Sequence, residues 1–580
     1  MCPTCFGAAI NADGVASPGQ AAQALIPFLR RAKARKSDFL TMATLFSKHM
    51  SAIVSAICVM EILHTTILVI SVYCIVIALN RLYFHPLSKI PGPKLAALTS
   101  WYEFYFDVLQ PGQYVFKIKE LHKHYGKAFS LPSRPHQYVH NSDISCSLGS
   151  IIRIAPSEIH IDDLDFLDSI YPASNAHKRD KDWSQIRKLD VGMSTSGTVD
   201  HDLHRLRREA LHPFFSKNTI SRFEPVIQEK ISHLVSYFDK AQASGKPLNL
   251  SDLYYGLARD VVFECSFGMK STILEDEHAA ASLRANMTEL LLGVKITKHF
   301  HVLFEAIKLL PASVGKYFSP PAIKNMRDLS LTVQEAIREV SSKDKQAMLA
   351  RTDQRSVFEH LLSSPTLPDS EKSLARLRSE GIMLMLAGTD ATAKVLVTTH
   401  YHLLGNPPML DRVRVELSSL TPSTRSAAHL QRLPYFSACI NEANRLAFGL
   451  TGRNARIAPK EELSYRGYNI RPGTSMSMST LCIHTNAHVF PDPWEFKPDR
   501  WLGAQGKALQ KYQFGFGRGS RRCLGMDLAN AELFLTLAAV VTGHEMELVE
   551  TSEEDVRFLH DFQVAQPKLD SKGVRVSIKG

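Results

Sequence analysis

The run ILHTTILVISVYCIVIAL, Ile62–Leu79, contains no Asp, Glu, Lys or Arg. At about 1.5 Å rise per residue its helix spans about 27 Å, close to the roughly 30 Å of a bilayer's hydrocarbon core. The run predicts an uncleaved membrane anchor over residues 51–80, lengthened by the apolar residues before Glu61. A cleaved signal peptide would end in small residues, and the flank here reads RLYFHPLSKIPGP. Pro91-Gly92-Pro93 reads as a stiff hinge, residues 81–94, ahead of a body covering 95–580.

Charge around the span conflicts with a cytosolic body. Arg30, Arg31, Lys33, Arg35, Lys36 and Lys48 precede it, whereas Arg81, Lys89 and Lys94 follow. Counted directly, the positive-inside rule sends the body to the lumen. A start at Met42 removes five upstream cations and reverses that assignment. Residues 1–50 are therefore expected to be an extension, with the working start at Met42 or Met50.

The chain is 45% hydrophobic and 22% charged, so it buries a sizeable core and is not globally disordered. Its net charge of +11 is spread along the chain and reads as a basic surface. Phosphate-binding loops, nucleic-acid modules and internal repeats do not stand out. Nine cysteines are scattered, and the only close pair, Cys2 and Cys5, has no second pair to complete a zinc site. Reduced thiols follow. Segments near 201–240, 251–267, 374–404 and 434–447 read as helical, and strands are expected at 149–161 and around 455–480. The body is thus mainly α with a small β-rich region.

The stretch FGFGRGSRRCLG, Phe514–Gly525, puts one thiol at the mouth of the helical run MDLANAELFLTLAAVV. A helix N-terminus stabilises a thiolate through its unpaired N–H groups and dipole. Gly519 and Gly525 let the backbone turn tightly beside a flat ligand. Arg521 is placed to meet a carboxylate on that ligand. Thiolate-ligated haem (heme) has these needs, and a buried cysteine beside a basic turn is the alternative.

Phe516-x-x-Gly519-x-Arg521-x-Cys523-x-Gly525 resembles the haem-binding signature of the cytochromes P-450, with Cys523 as axial ligand to iron. Glu442-Ala-Asn-Arg445 resembles the family's Glu-x-x-Arg helix, and FKPDRW supplies Arg500 to the same salt-bridged core. HRLRR at 204–208 is similar to the helix that meets the haem propionates, with His204 where many members carry Trp. Arg208 keeps the cation, and Arg456 in ARIAP matches another propionate-binding arginine. The resemblance covers roughly residues 81–580, and its wording is most like fungal members of secondary metabolism, including the trichodiene-oxygenase-like group.

In GIMLMLAGTDATAKVLVTTHYHLL, Ala387, Gly388 and Asp390 match the family's oxygen-activating helix, where an acid and an alcohol relay protons. Ala391 occupies the alcohol's position, and Thr392 brings a hydroxyl one residue later, about 100° around the helix. Asp390 is the expected proton-delivery residue, with Thr392 a second candidate.

The resemblance implies a monooxygenase at the endoplasmic reticulum membrane, its body facing the cytosol. A hydrophobic small molecule, a terpenoid or other secondary metabolite, would be its substrate. Electrons would come from a separate NADPH-dependent reductase, with cytochrome b5 as a further donor. Lys511, Arg518 and Arg522 are candidates to steer that acidic partner. Ala391 keeps a haem-thiolate isomerase or dehydratase open as the alternative, beside a non-catalytic haem binder. Family members run from Tyr-Gly straight into the first strand, whereas here residues 127–148 intervene without a helical or strand period. That insert reads as an unspliced intron, with a surface loop as its rival.

Overall fold

Helix formation begins well before the apolar run. Helix α1, Pro18–Leu79, continues for 62 residues and takes in the extension as well as the expected span. Large apolar side chains lie exposed along it, among them Ile62, Leu68 and Tyr73. In water such a surface is unfavourable, and it fits a membrane anchor. The stretch Lys33–Phe84 is long and apolar enough to cross a membrane.

This computed structural model describes residues 18–128, 150–186, 191–308, 320–343, 356–421 and 424–579. Two units separate by internal contact, Met1–Tyr83 and Phe84–Gly580. The second is the mainly helical body. Pro91 belongs to it: the Arg153 N–H donates to the Pro91 carbonyl at 2.7 Å. The expected hinge is thus partly sheet-edge packing.

In chain order the elements that build the site are α2 (Tyr114–Ala128), β1 (Ile151–Ala155), β2 (Glu158–Ile161), β3 (Asp180–Lys181) and α3 (His201–Leu211). Then come α4 (Lys217–Ser244), α5 (Leu250–Phe267), α6 (Glu277–His299), α7 (Pro321–Ser342), α8 (Leu374–Leu404) and α9 (Pro434–Leu446). Strands β4 (Arg456–Ile457) and β5 (Ser475–Ser477) precede the last long helix, α10 (Met526–Gly543). The two expected strand regions therefore resolve into short strands. Residues 129–148, most of the suspected insert, lie outside the described residues.

Helix α8 runs through the middle of the body and packs against α5, α7, α9 and α10. Both α8 and α10 are apolar enough to span a membrane, yet most of each is buried in protein. Their apolar residues face a continuous core that includes Leu257, Val261, Leu377, Leu396, Leu533 and Leu537. Capping fixes where the flanking helices begin. Asp200 accepts the Leu203 N–H at 2.7 Å to start α3, and Asn249 accepts from Ser251 and Asp252 to start α5.

Five strands form one sheet in the order β1-β2-β5-β4-β3. β1 and β2 pair as a hairpin, with Ile151 opposite Ile161 and an irregularity between Arg153 and Ala155. β2 runs parallel to β5, and the remaining pairings are antiparallel. Arg456 sits on β4 between Met476 of β5 and Lys181 of β3.

Candidate functional site

Glu442, on α9, is fully buried and accepts four kinds of donor. Arg445, one turn later, meets it through two bonds of 2.9 and 2.8 Å. Arg500 Nε, the Trp501 indole N–H and the Lys497 backbone N–H complete the set at 3.1, 2.8 and 2.9 Å. Arg445 then binds the carbonyls of His484 and Glu495. A buried carboxylate with this many donors holds the 484–501 segment against α9.

His484 links that core to the cysteine loop, and sequence reasoning missed it. Its Nδ1 lies 2.8 Å from the Arg445 carbonyl, and its Nε2 accepts the Phe514 N–H at 2.9 Å. The first contact needs a donor and the second an acceptor, so the ring is neutral with its proton on Nδ1. Burial pushes this histidine down to about 3, helped by Arg445. Nothing in LCIHTN distinguishes it from any core histidine, because its partners are distant in sequence.

The loop from Phe514 to Gly525 turns on its glycines and on backbone bonds. Gly519 has φ +75°, and a Cβ there would lie 2.5 Å from the Tyr171 carbonyl oxygen. Any other residue would be strained and would push the loop off Tyr171. The Ser520 N–H donates to Pro172, and the Cys523 N–H donates to Phe516 at 2.8 Å. Gly525 precedes the first turn of α10. Within the loop, Arg518 pairs with Asp168 at 2.7 Å. Arg522 is exposed, as is Lys511.

Cys523 is exposed, yet its thiol is pushed up by loss of water, against the pull of the Gly525 N–H, Arg208 and Arg522. The exposed Cys523 precedes the first turn of α10, with the Arg208 guanidinium donating to the neighbouring Arg522 carbonyl at 2.7 Å.

Cations converge near the loop. Arg521 donates to the carbonyls of Thr198 and Val199, Arg208 to that of Arg522, and Arg456 to those of Asn454 and Ala455. Lys181, also unnoticed in sequence, donates to Ser196. All four direct these donors to neutral carbonyls, and Arg521 Nε is buried without a partner. Their pKa values fall: burial lowers Lys181 well below the usual lysine range, with Arg456 and Arg521 adding to it. Arg521 falls to about 9 by burial and by Arg456. His204 falls to about 2 by burial, then by Arg521, Lys181 and Arg208. Arg456 is buried and Lys181, Arg208 and Arg521 are half-buried, and cations that depress one another in this way suit a bound anion. A haem carries two propionates, and the residues present fit that group.

Above the core, α8 continues as unbroken helix through its polar residues. Leu384, Ala387, Gly388, Ala391 and Lys394 form its accessible stripe, with Ala387 and Ala391 the most exposed. Gly388 is also where α8 meets α5, since a Cβ there would lie 2.6 Å from Val262 Cγ2. Thr392 is buried, on another face from Ala391. Asp390 is buried too, accepting the Tyr255 hydroxyl and lying 2.9 Å from Lys394 Nζ.

Comparison with known proteins agrees with this arrangement. Residues 100–572 match the Cytochrome P-450 family. The chain is 35% identical to Cytochrome P-450 monooxygenase TRI4 of Trichoderma arundinaceum, over 84% of this chain and 90% of that protein. It is 36% identical to Cytochrome P-450 monooxygenase MO6277 of Ascocoryne sarcoides, over 90% and 99%. Tryptophan 6-hydroxylase fscE of Fusarium equiseti is 37% identical, over 88% and 96%. The chain belongs to the cytochrome P-450 family and is a haem-thiolate monooxygenase.

Proposed function

We propose that this chain inserts one oxygen atom from dioxygen into a hydrophobic small molecule, a terpenoid or other secondary metabolite, while anchored in the endoplasmic reticulum membrane. The observation that carries the reading is the exposed Cys523 at the start of α10, with Arg208 donating to the Arg522 carbonyl and Arg521 and Arg456 converging nearby. A bound haem with a thiolate ligand would supply the chemistry of O–O bond cleavage.

The chain's own residues supply binding and orientation. Cys523 would hold the iron of a bound haem, on a loop fixed by Phe516, Gly519 and Gly525. Arg208, Arg456, Arg521 and Lys181 would take its propionates, with His204 beside them. Ala387 and Ala391 leave room on α8, and Gly388 lets α5 approach beside them. Asp390 holds a proton path on the same helix, and Glu442, Arg445 and Arg500 keep the frame beneath the loop rigid.

Electrons come from a separate NADPH-dependent reductase, with cytochrome b5 as a further donor, docking near the exposed cations Lys511 and Arg522. The body faces the cytosol, with the working N-terminus at Met42 or Met50. Protease protection of microsomes, with N-terminal sequencing, tests that orientation; a protected body refutes it.

The decisive experiment is co-expression with the reductase and comparison of extracted metabolites with and without the chain. A product heavier by one oxygen, formed only with NADPH, is expected. Ala391 favours a second reading, isomerisation or dehydration on the same haem. Turnover without NADPH or reductase would establish it in place of the first.

A further inference from the structure

Helix α5 is enclosed on nearly every side: all its residues except Asp252 and Glu264 are buried, against α4, α6 and α8. A helix covered in this way is expected to be apolar all round. Arg259 nevertheless stands near its middle, with only 8% of the residue exposed. It shares a face with Tyr255, one turn before it, and Val262, one turn after. Tyr255 reaches Asp390 on α8, and Val262 meets α8 at Gly388. Arg259 therefore occupies the face of α5 turned to α8, between two contacts with that helix.

No acceptor among the described residues takes a hydrogen bond from this guanidinium, and its Nη1 is buried without a partner. What it touches is an aromatic face, with Cζ 4.7 Å from the Phe263 ring centre. The neighbouring carboxylates are already engaged. Asp260 accepts the Ser271 hydroxyl and the Ile273 and Leu274 N–H groups. Asp390 accepts the Tyr255 hydroxyl on one oxygen and lies 2.9 Å from Lys394 Nζ on the other. Burial pulls Arg259 down to about 10, with Asp260 the only charge acting against it. The group is still charged at neutral pH. An ion pair thus accounts for Lys394 but not for Arg259, and an uncompensated charge inside a helix contact is strongly unfavourable.

We propose that Arg259 anchors a buried site for a small inorganic anion, of the halide class, between α5 and α8. Chemistry sets the sign, since a full positive charge with a fork of N–H donors has no protein acceptor. Packing sets the size. A Cβ at Gly388 would lie 2.6 Å from Val262 Cγ2, so the two helices meet closely one turn along from Arg259. Such a contact suits an ion of atomic dimensions rather than an organic acid. Water alone would solvate the guanidinium without neutralising it. The site uses none of the residues assigned to haem.

Thermal unfolding of the full-length holoenzyme, in sodium chloride and in sodium gluconate at equal ionic strength, tests the site. Haem is kept loaded so that propionates, not halide, meet Arg208, Arg456 and Arg521, and the reduced carbon-monoxide band checks the loading. The unmutated protein should melt several degrees higher in chloride, by an amount that grows with the logarithm of chloride concentration. Arg259→Met should melt at one temperature in both salts. It should also melt above the parent in gluconate, because it removes the unpaired charge. A parent indifferent to chloride overturns the proposal, as does a chloride response that Arg259→Met retains. Should the variant not fold, crystals of the parent grown in bromide decide. An anomalous peak within hydrogen-bonding reach of Arg259 is expected, and water alone at that place overturns the site. A parent without the carbon-monoxide band would refute the haem-thiolate reading instead, and the bromide experiment would still read Arg259.

Discussion

Lys181 stands directly opposite Arg456, across the antiparallel pair that closes the edge of the sheet. Like charges at such a position destabilise a sheet by about 0.5 kcal/mol. Burial lowers the pKa of both side chains, and each donates to a backbone carbonyl rather than a carboxylate. The strain is relieved when an anion lies between them. Lys181→Met should therefore stabilise the haem-free protein slightly and weaken haem retention. Thermal unfolding of both forms, with haem transfer to apomyoglobin, reads the two effects. Equal shifts in both forms would mean that Lys181 does not contact the propionates.

Cys523→Ser should abolish the reduced carbon-monoxide band of thiolate haem. The serine keeps the backbone bond from residue 523 to Phe516, because that bond uses only main-chain atoms. The fold should survive, and far-ultraviolet dichroism should match the parent. A variant that kept the band would remove the ligand assignment.

His484 makes stability depend on pH with a definite sign. The folded protein holds its ring neutral down to about 3, while the unfolded chain protonates it near the ordinary value of about 6.5. Above that value neither state binds the proton and stability is flat. Between the two values the unfolded state alone binds it, and stability falls by up to about 1.4 kcal/mol per pH unit. Denaturant unfolding from pH 7 to pH 4 reads the slope. His484→Phe should flatten part of it and, by leaving the Phe514 N–H unpaired, lower stability by about 2 kcal/mol. An unchanged slope in the variant would assign the titration to other buried histidines.

Local pattern made much of this legible. The apolar run, the helix starts and the spacing around Cys523 are all read within a few turns of chain, where period and capping act. Glu442 and Arg445 were visible because they stand one helical turn apart. Lys181 and His484 were not, since what gives them meaning is a strand partner 275 residues later and a loop 30 residues later. Thr392 shows the same limit from the other side. A hydroxyl one residue away looks adjacent in sequence, but the helix turns it into the core.

The last expectation concerns residues 127–148, which we propose are an in-frame unspliced intron. Helix α2 passes Gly126 and ends at Ala128, and the described chain resumes at Ser150, which leads at once into β1. Ser150 is already fixed there: it is buried, and its carbonyl accepts the Asp162 N–H at 2.7 Å. Deleting 127–149 joins HYG to SIIRIAP and keeps every residue of the β1–β2 hairpin. Codon choice agrees with excision. Gly126-Lys127 can carry a GTAAG donor and Leu148-Gly149 a TAG acceptor, each splitting a glycine codon at the same phase. A surface insertion would add only a small loop-closure term, so stability alone does not decide between the two. Sequencing the mature transcript does. A message without these codons is expected, and a protein lacking 127–149 should bind haem at least as fully as the longer chain. A mature message that retains them, giving a protein with full haem occupancy, would establish the segment as a genuine loop.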